Sequence, residues 1–443
     1  MDYVQFTAQQ RRQMLQAVGA TDIDDLLKPI PAEYRLAKPL DLPPALDELS
    51  LHAHLAELAG RNLPVGAKVC FLGAGVYDHF IPSVVDALAM KGEFVTAYTP
   101  YQAEASQGSL QAFFEFQTMV CQLTGMDVAN ASLYEGATAL AEAVLMAASA
   151  TGKRQILVSG GVNPQYRQVL ATYLADLPIT CTEIPLKQGV TDFQAVENAL
   201  EQDTAAVLAQ SPNFFGHIER IEALSKLAHA NESLCIQAIN PLSLGLLKSP
   251  GEMDVDIAAG EGQPLGIPLQ FGGPYLGLLA TRSQFMRKMP GRLVGQTVDT
   301  EGRRAFCLTL QTREQHIRRE KATSNVCTNQ GLLALRAAVY MAAMGPEGLR
   351  QVAQLCFNKT SYLAGELVKA GMSLRYPQQP FFNELLVKLN RPVERVLAEA
   401  SAAGILAGYR VGHDYPDLSD CLLVAVTEKR TKGELDQLVN VLK

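Results

Sequence analysis

With 443 residues, 48% of them hydrophobic and 19% charged, the chain suits one large α/β domain with smaller appendages and a substantial buried core. Its net charge of −7, with no Lys/Arg stripe, excludes the electrostatic footprint of a nucleic-acid binder, and no stretch approaches the ~20 apolar residues of a membrane span. Eight cysteines without paired spacing and seven histidines without an HxH or HxxxH pattern argue against a disulfide framework and against metal ligation.

The N-terminal stretch MDYVQFTAQQRRQML is polar and carries both signs of charge, so it does not read as a secretory signal, and a cytoplasmic location is expected. Residues 1–65 alternate short amphipathic patterns (YVQFTAQQRRQMLQAVG, LDELSLHAHLAELAGRNL) with a proline-rich connector, which predicts a helical arm. From 66 to 330 strand-like and helix-like runs alternate: KVCFLG, LQAFFEFQTMVCQLTG, DVANASL, ATALAEAVLMAASATG, RQILVSGG, ITCTEIPL, AAVLAQ, CIQAI and VDIAA. Strands separated by helices of 10 to 15 residues imply a mainly parallel sheet covered on both faces. Residues 331–443 open with a long helix and continue through NELLVKLN, CLLVAVTE and a last helix, predicting a smaller α+β domain.

Several segments carry chemistry-bearing residues. GAGVYDHF (73–80) lacks the third glycine of a dinucleotide fingerprint, which would fall on Asp78, and reads as a tight turn. YTPYQAEASQGSLQ (98–111) places Tyr98, Tyr101, Ser106 and Gln107 just before a helix, which Ser106, Gln107 and Gly108 are suited to cap. In SLYEGATALAEA (132–143), Gly136, Ala137 and Thr138 stand at a strand-to-helix turn suited to an anion, although the Glu135 carboxylate beside it is repulsive to one. TLQTREQHIRREKATSNVCTNQ (309–330) mixes Arg313, Glu314, His316, Arg318 and Arg319, which at helical spacing reads as a solvated, ion-paired face.

GEGQPLGIPLQFGGPYLG (260–277), TAYTPYQ-x-E-x-SQG and TREQHIRREKATSN-x-CTNQ together resemble the glycine decarboxylase P-protein family, in its two-subunit form, and the resemblance covers nearly the whole chain. It implies an aspartate-aminotransferase-like fold, that of the type I pyridoxal-phosphate enzymes. It puts Gln263 where catalytic relatives carry the cofactor lysine, Gln237 at the aspartate that serves the pyridine nitrogen, and Gly136, Ala137 and Thr138 at a degenerate phosphate turn. A glutamine amide forms no imine, so the implied role is that of an α-type chain without covalently bound cofactor. Pyridoxal phosphate would sit on a β-type partner subunit. Tyr98, Tyr101, Ser106, Gln107 and His316 would complete that partner's pocket, with glycine as substrate and the lipoylated H-protein as acceptor of the aminomethyl group. Two alternatives are an autonomous pyridoxal-phosphate enzyme using Lys248 or Lys288, and a purely structural scaffold subunit.

Overall fold

The computed structural model describes residues 6–36, 38, 40–64 and 66–443, so residues 3–5 of the first predicted helix lie outside the described residues. Two compact units follow one another, Met1–Leu63 and Pro64–Lys443. In the first, α1 (Ala8–Ala17) starts at Thr7, whose hydroxyl accepts the Gln10 N–H in a capping box. Helix α2 (Glu48–Ala59) is capped by Asp47, which accepts the Ser50 N–H at 2.9 Å. None of its twelve residues is buried, and Leu40, Leu42 and Leu49 stand exposed nearby in sequence.

The second unit is built on a seven-stranded sheet of β1 (Val128–Ala129), β2 (Gln155–Ser159), β3 (Thr180–Ile184), β4 (Thr204–Ser211), β5 (Leu234–Ile239), β6 (Ile257–Glu261) and β7 (Gly277–Thr281). Their spatial order is β1-β7-β6-β5-β4-β2-β3. Strands β2 to β6 pair in parallel, while β7 runs antiparallel to both its neighbours, β6 and β1. Burial of seven of the eight residues of β4 reflects helices on both faces. Helix α3 (Gln107–Thr124) sets Phe113, Phe116 and Val120 into the core on one face, and α4 (Gly136–Thr151) sets Leu140, Val144 and Met146 into the other. Each such fully buried side chain stabilises the fold by about 1.5–3 kcal/mol.

The predicted strand KVCFLG is shorter than expected and lies outside this sheet: Val69–Cys70 pairs in parallel with Ile405–Leu406. Helix α5 (Gly331–Lys369) is interrupted at Gly345, whose φ of 61° precedes Pro346. Its first half joins the large core through Leu333, Tyr340 and Met341, and its last turns, through Leu363 and Leu367, join a second core. That second core lines an antiparallel sheet of β8 (Ser373–Leu374), β9 (Glu384–Lys388), β10 (Tyr409–Arg410) and β11 (Cys421–Ala425) in the order β8-β9-β11-β10, backed by α6 (Val393–Ala402) and α7 (Lys432–Leu442). Among the described residues, no helix is long and apolar enough to cross a membrane.

Candidate functional site

Open α/β sheets bind ligands beyond the carboxyl ends of their parallel strands. Here that edge is filled by protein. The turn 73–80 runs into it, with Ala74 and Gly75 at φ of 63° and 117°. Gly73 is required there, because a Cβ would stand 2.4 Å from Glu384 Oε1 and 2.5 Å from Ala425 Cβ. The Glu384 carboxylate accepts the Ala74 N–H at 2.7 Å and the Tyr77 hydroxyl at 2.9 Å. Gln263 clamps the same turn: its Oε1 accepts the Tyr77 N–H at 2.9 Å, and its Nε2 donates to the carbonyls of Tyr77 and Ile267 at 3.0 and 2.8 Å. A cavity of about 20 Å³ remains among Tyr77, Asn163, Tyr166, Gln210, Glu261 and Glu384. That is room for about one water.

Carboxylates also fill the turn that starts α4. Glu261, at the end of β6, accepts the N–H groups of Gly136, Gln263 and Leu276 at 2.9, 2.8 and 3.0 Å. Glu135 is the N-cap and accepts the Thr138 N–H at 2.9 Å. The sequence suggested that Glu135 repels an anion beside this turn; in the structure it takes an anion's place, and Glu261 does the same from across the pocket. Burial pushes Glu261 up to about 7 against the opposing pull of its three N–H donors. Burial likewise pushes Glu384 up to about 7. Gln237 is buried but does not line the cavity, which takes Ala238, Ile239 and Asn240 from the same strand end. Strand alternation turns Gln237 to the opposite face from Ala238. Lys248 and Lys288 are also absent from the lining; they bind Glu222 (3.2 Å) and the Ser149 hydroxyl (3.3 Å) at the surface.

The other expected residues gather on a separate surface, but not all of them. Tyr101 is half-exposed, and its hydroxyl accepts from Arg292 Nη2 at 3.3 Å. The His316 ring stands edge-on to it at 5.9 Å. Arg292 is 3% exposed and also donates to Cys327 O (2.8 Å), Thr328 Oγ1 (3.1 Å) and Asn329 Oδ1 (3.0 Å), tying the tyrosine loop to residues 327–329. All four of these acceptors are neutral. Nothing in the sequence around Arg292 singles it out, because its partners come from distant segments.

Ser106 occupies the N-cap position of α3, but its hydroxyl makes no capping bond, contrary to expectation. Gln107 is wholly engaged within the chain, donating to Ala103 O and Phe306 O and accepting from Phe306 N, so it fastens α3 to the hairpin Leu293–Val298/Arg304–Thr309. Tyr98 is 92% exposed and forms one wall of a groove of about 170 Å³ with Phe94, Val95, Phe113 and Leu332. The expected ion-paired helical face over 309–330 is instead a run of turns around the single short helix Gln315–Arg318. Within it Arg313 is turned inward onto backbone carbonyls, among them Gly291 O at 3.0 Å.

A sequence model of the Glycine cleavage system P-protein family matches residues 1–442. The chain belongs to this P-protein family. It is 51% identical over 440 residues to the probable glycine dehydrogenase (decarboxylating) subunit 1 of Geobacillus thermodenitrificans (strain NG80-2), covering 99% of this chain and 98% of that one. Its fold matches that of a crystallised glycine decarboxylase (P-protein) of the glycine cleavage system in inhibitor-bound form, with a TM-score of 0.92 and 46% identity over 100% of this chain and 99% of that one. An alanine–glyoxylate aminotransferase from Nostoc sp. shares the fold alone, at a TM-score of 0.60 and 17% identity over 86% and 95% of the two chains. The architecture is therefore that of the type I pyridoxal-phosphate enzymes.

Pyridoxal phosphate does not fit the strand-end pocket of this P-protein chain. Gln263 offers an amide already engaged on the 73–80 turn and on Ile267. Two of the N–H groups at the start of α4 already serve Glu261 and Glu135, and the space left is that of a water rather than a pyridine ring. A third negative group there would meet two carboxylates at close range.

Proposed function

We propose that this chain is the cofactor-free subunit of a two-chain glycine dehydrogenase (decarboxylating), an oxidoreductase whose pyridoxal phosphate is held by a β-type partner subunit. The observation that carries the reading is the Glu261 carboxylate on the Gly136 N–H, the place a cofactor phosphate would need. In the complex, glycine loses CO2 and its aminomethyl group passes to the lipoyl arm of the H-protein, and the bond-breaking steps belong to the partner's pocket.

This chain's part is to complete that pocket from across the interface. Tyr101 and His316 lie together on an accessible surface, and Arg292 holds the tyrosine from beneath, so a hydroxyl and an imidazole are pre-positioned at little entropic cost. Tyr98, fully accessible, and Ser106 lie on the same 98–108 loop. The proposed division is an arm over 1–65, a large domain over 66–330 and a small domain over 331–443, with the exposed leucines of the arm turned to the partner. Eight free cysteines accord with a reducing, cytoplasmic setting.

One observation favours a second reading, a scaffold without contact with the chemistry. Gln107, within the most family-specific motif, spends its amide on internal bonds. Reconstitution with the partner, borohydride reduction and separation of the subunits tests the main proposal. The reduced cofactor is expected on one lysine of the partner and not on this chain. Stoichiometric labelling of this chain would overturn it.

A further inference from the structure

The turn that fills the pocket ends at a second buried cluster, which the candidate site does not use. His79 Nδ1 lies 2.7 Å from Glu428 Oε2, and the Cys356 Sγ lies 3.4 Å from the same oxygen. The three potential ligand atoms all fall within 4.8 Å of one another. The side chains are buried, His79 at 3% and Glu428 at 8% exposure, with Cys356 wholly enclosed. They come from the 73–80 turn, from the second half of α5 and from the segment after β11, so no sequence spacing could announce them. Two more polar atoms here are buried without a hydrogen-bond partner: His79 Nε2 and the hydroxyl of Tyr340. Tyr340 lies close enough to Glu428 and Cys356 that, with burial the larger cause, their charges hold its phenol above the ordinary range.

We propose that His79, Cys356 and Glu428 bind one Zn²⁺ ion, with the Tyr340 hydroxyl as the remaining polar group beside it. One thiolate, one imidazole and one carboxylate are the donor set zinc takes, and the sulfur makes magnesium and calcium poor competitors. Donors around a tetrahedral zinc stand about 3.3–3.5 Å apart. The Sγ–Oε2 separation of 3.4 Å already meets that, and the imidazole has to withdraw by about half an ångström. Glu428 Oε1 stays on the Phe80 N–H at 2.5 Å and keeps the carboxylate oriented. On binding, the thiol proton leaves to solvent as the sulfur–zinc bond forms, and His79 gives up the Nδ1 proton that faces Glu428 and binds through Nδ1 as the neutral imidazole protonated at Nε2. Thiolate and carboxylate then cancel the ion's charge in a buried setting. Lys359, which donates to the Glu428 carbonyl, is a nearby cation that this neutral cluster does not offset. The bound ion would brace the turn carrying Tyr77 against α5, where Tyr340 also packs under Gly266 of the Gln263 loop.

The test uses the full chain, freed of metal by a chelator and then loaded with Co²⁺ as a spectroscopic stand-in. After desalting, about one ion per chain is expected, with a near-ultraviolet sulfur-to-cobalt band that Zn²⁺ abolishes by displacement. Cys356→Ser should remove the band, and His79→Gln should cut loading at least about tenfold. Cys181→Ser and Cys327→Ser, at exposed thiols, should change neither. Circular dichroism checks folding. Should Cys356→Ser not fold, the native band and His79→Gln decide the matter. Loading below about one ion in ten chains, or loading and band unchanged by either cluster variant, would overturn the site.

Discussion

The strand-end pocket and the Tyr101–Arg292–His316 surface stand in opposite states. In the pocket nearly every polar group finds its partner inside the chain: Glu261 takes three N–H groups, Glu384 takes an N–H and a hydroxyl, and Gln263 uses both ends of its amide. At the surface a buried guanidinium meets neutral acceptors, and a hydroxyl and an imidazole remain accessible above it. A strand-end pocket can thus be closed by internal groups while polar side chains elsewhere on the chain stay accessible. On the function proposed above, the pocket then serves stability and the surface serves activity.

The largest effect that separates the two regions is expected from Glu261→Ala. It leaves three buried N–H groups unpaired, each costing about 1–3 kcal/mol, so urea denaturation should register a loss of about 3 kcal/mol or more. A loss below about 1 kcal/mol would mean that the pocket is not self-satisfied. Next comes Tyr101→Phe, which keeps the ring. Exchange of labelled bicarbonate into glycine by the reconstituted complex should fall about 10- to 1,000-fold, or roughly 1.4–4 kcal/mol, with subunit affinity nearly unchanged. Normal exchange would move the scaffold reading ahead.

A graded effect follows from pH. Glu261 and Glu384 are raised from 4.5 to about 7, so the folded chain keeps protons that the unfolded chain has already lost. Stability should fall as pH rises from about 5 to about 7 and level off above, a slope that Glu261→Gln reduces. Urea midpoints rising across that interval would contradict the burial argument. The smallest effect belongs to Tyr98→Phe. Its hydroxyl meets no hydrogen-bond partner among the described residues, so stability should move by less than about 0.5 kcal/mol, and only the complex can show a rate defect.

Much of this was legible in the residues. Alternating runs such as AAVLAQ and CIQAI gave the parallel sheet because its buried strands are continuously apolar. The resemblance put Gln263 where catalytic relatives carry the cofactor lysine. The filling of the pocket was not legible, since Glu261 looks like the end of a strand until β6 is laid against the start of α4. Tyr77 reaches the same place through a turn whose clamp, Glu384, lies 307 residues further on. KVCFLG misled because its pairing partner, Ile405–Leu406, is outside the large sheet. The 309–330 charges misled because periodicity was read into a segment that φ of 51° at Leu310 and 53° at Arg319 breaks into turns.

Gln263→Lys tests most directly that the pocket is filled by the chain's own groups. The variant chain is incubated with pyridoxal phosphate, reduced with borohydride and mapped by mass spectrometry. With Glu261 and Glu135 on the N–H groups at the start of α4 and the 73–80 turn fastened to residue 263 through the Tyr77 N–H, no stoichiometric adduct at position 263 is expected. One reducible cofactor per chain at that position, with its absorption band, would show that the pocket accepts the cofactor once an amine is supplied and would contradict the account.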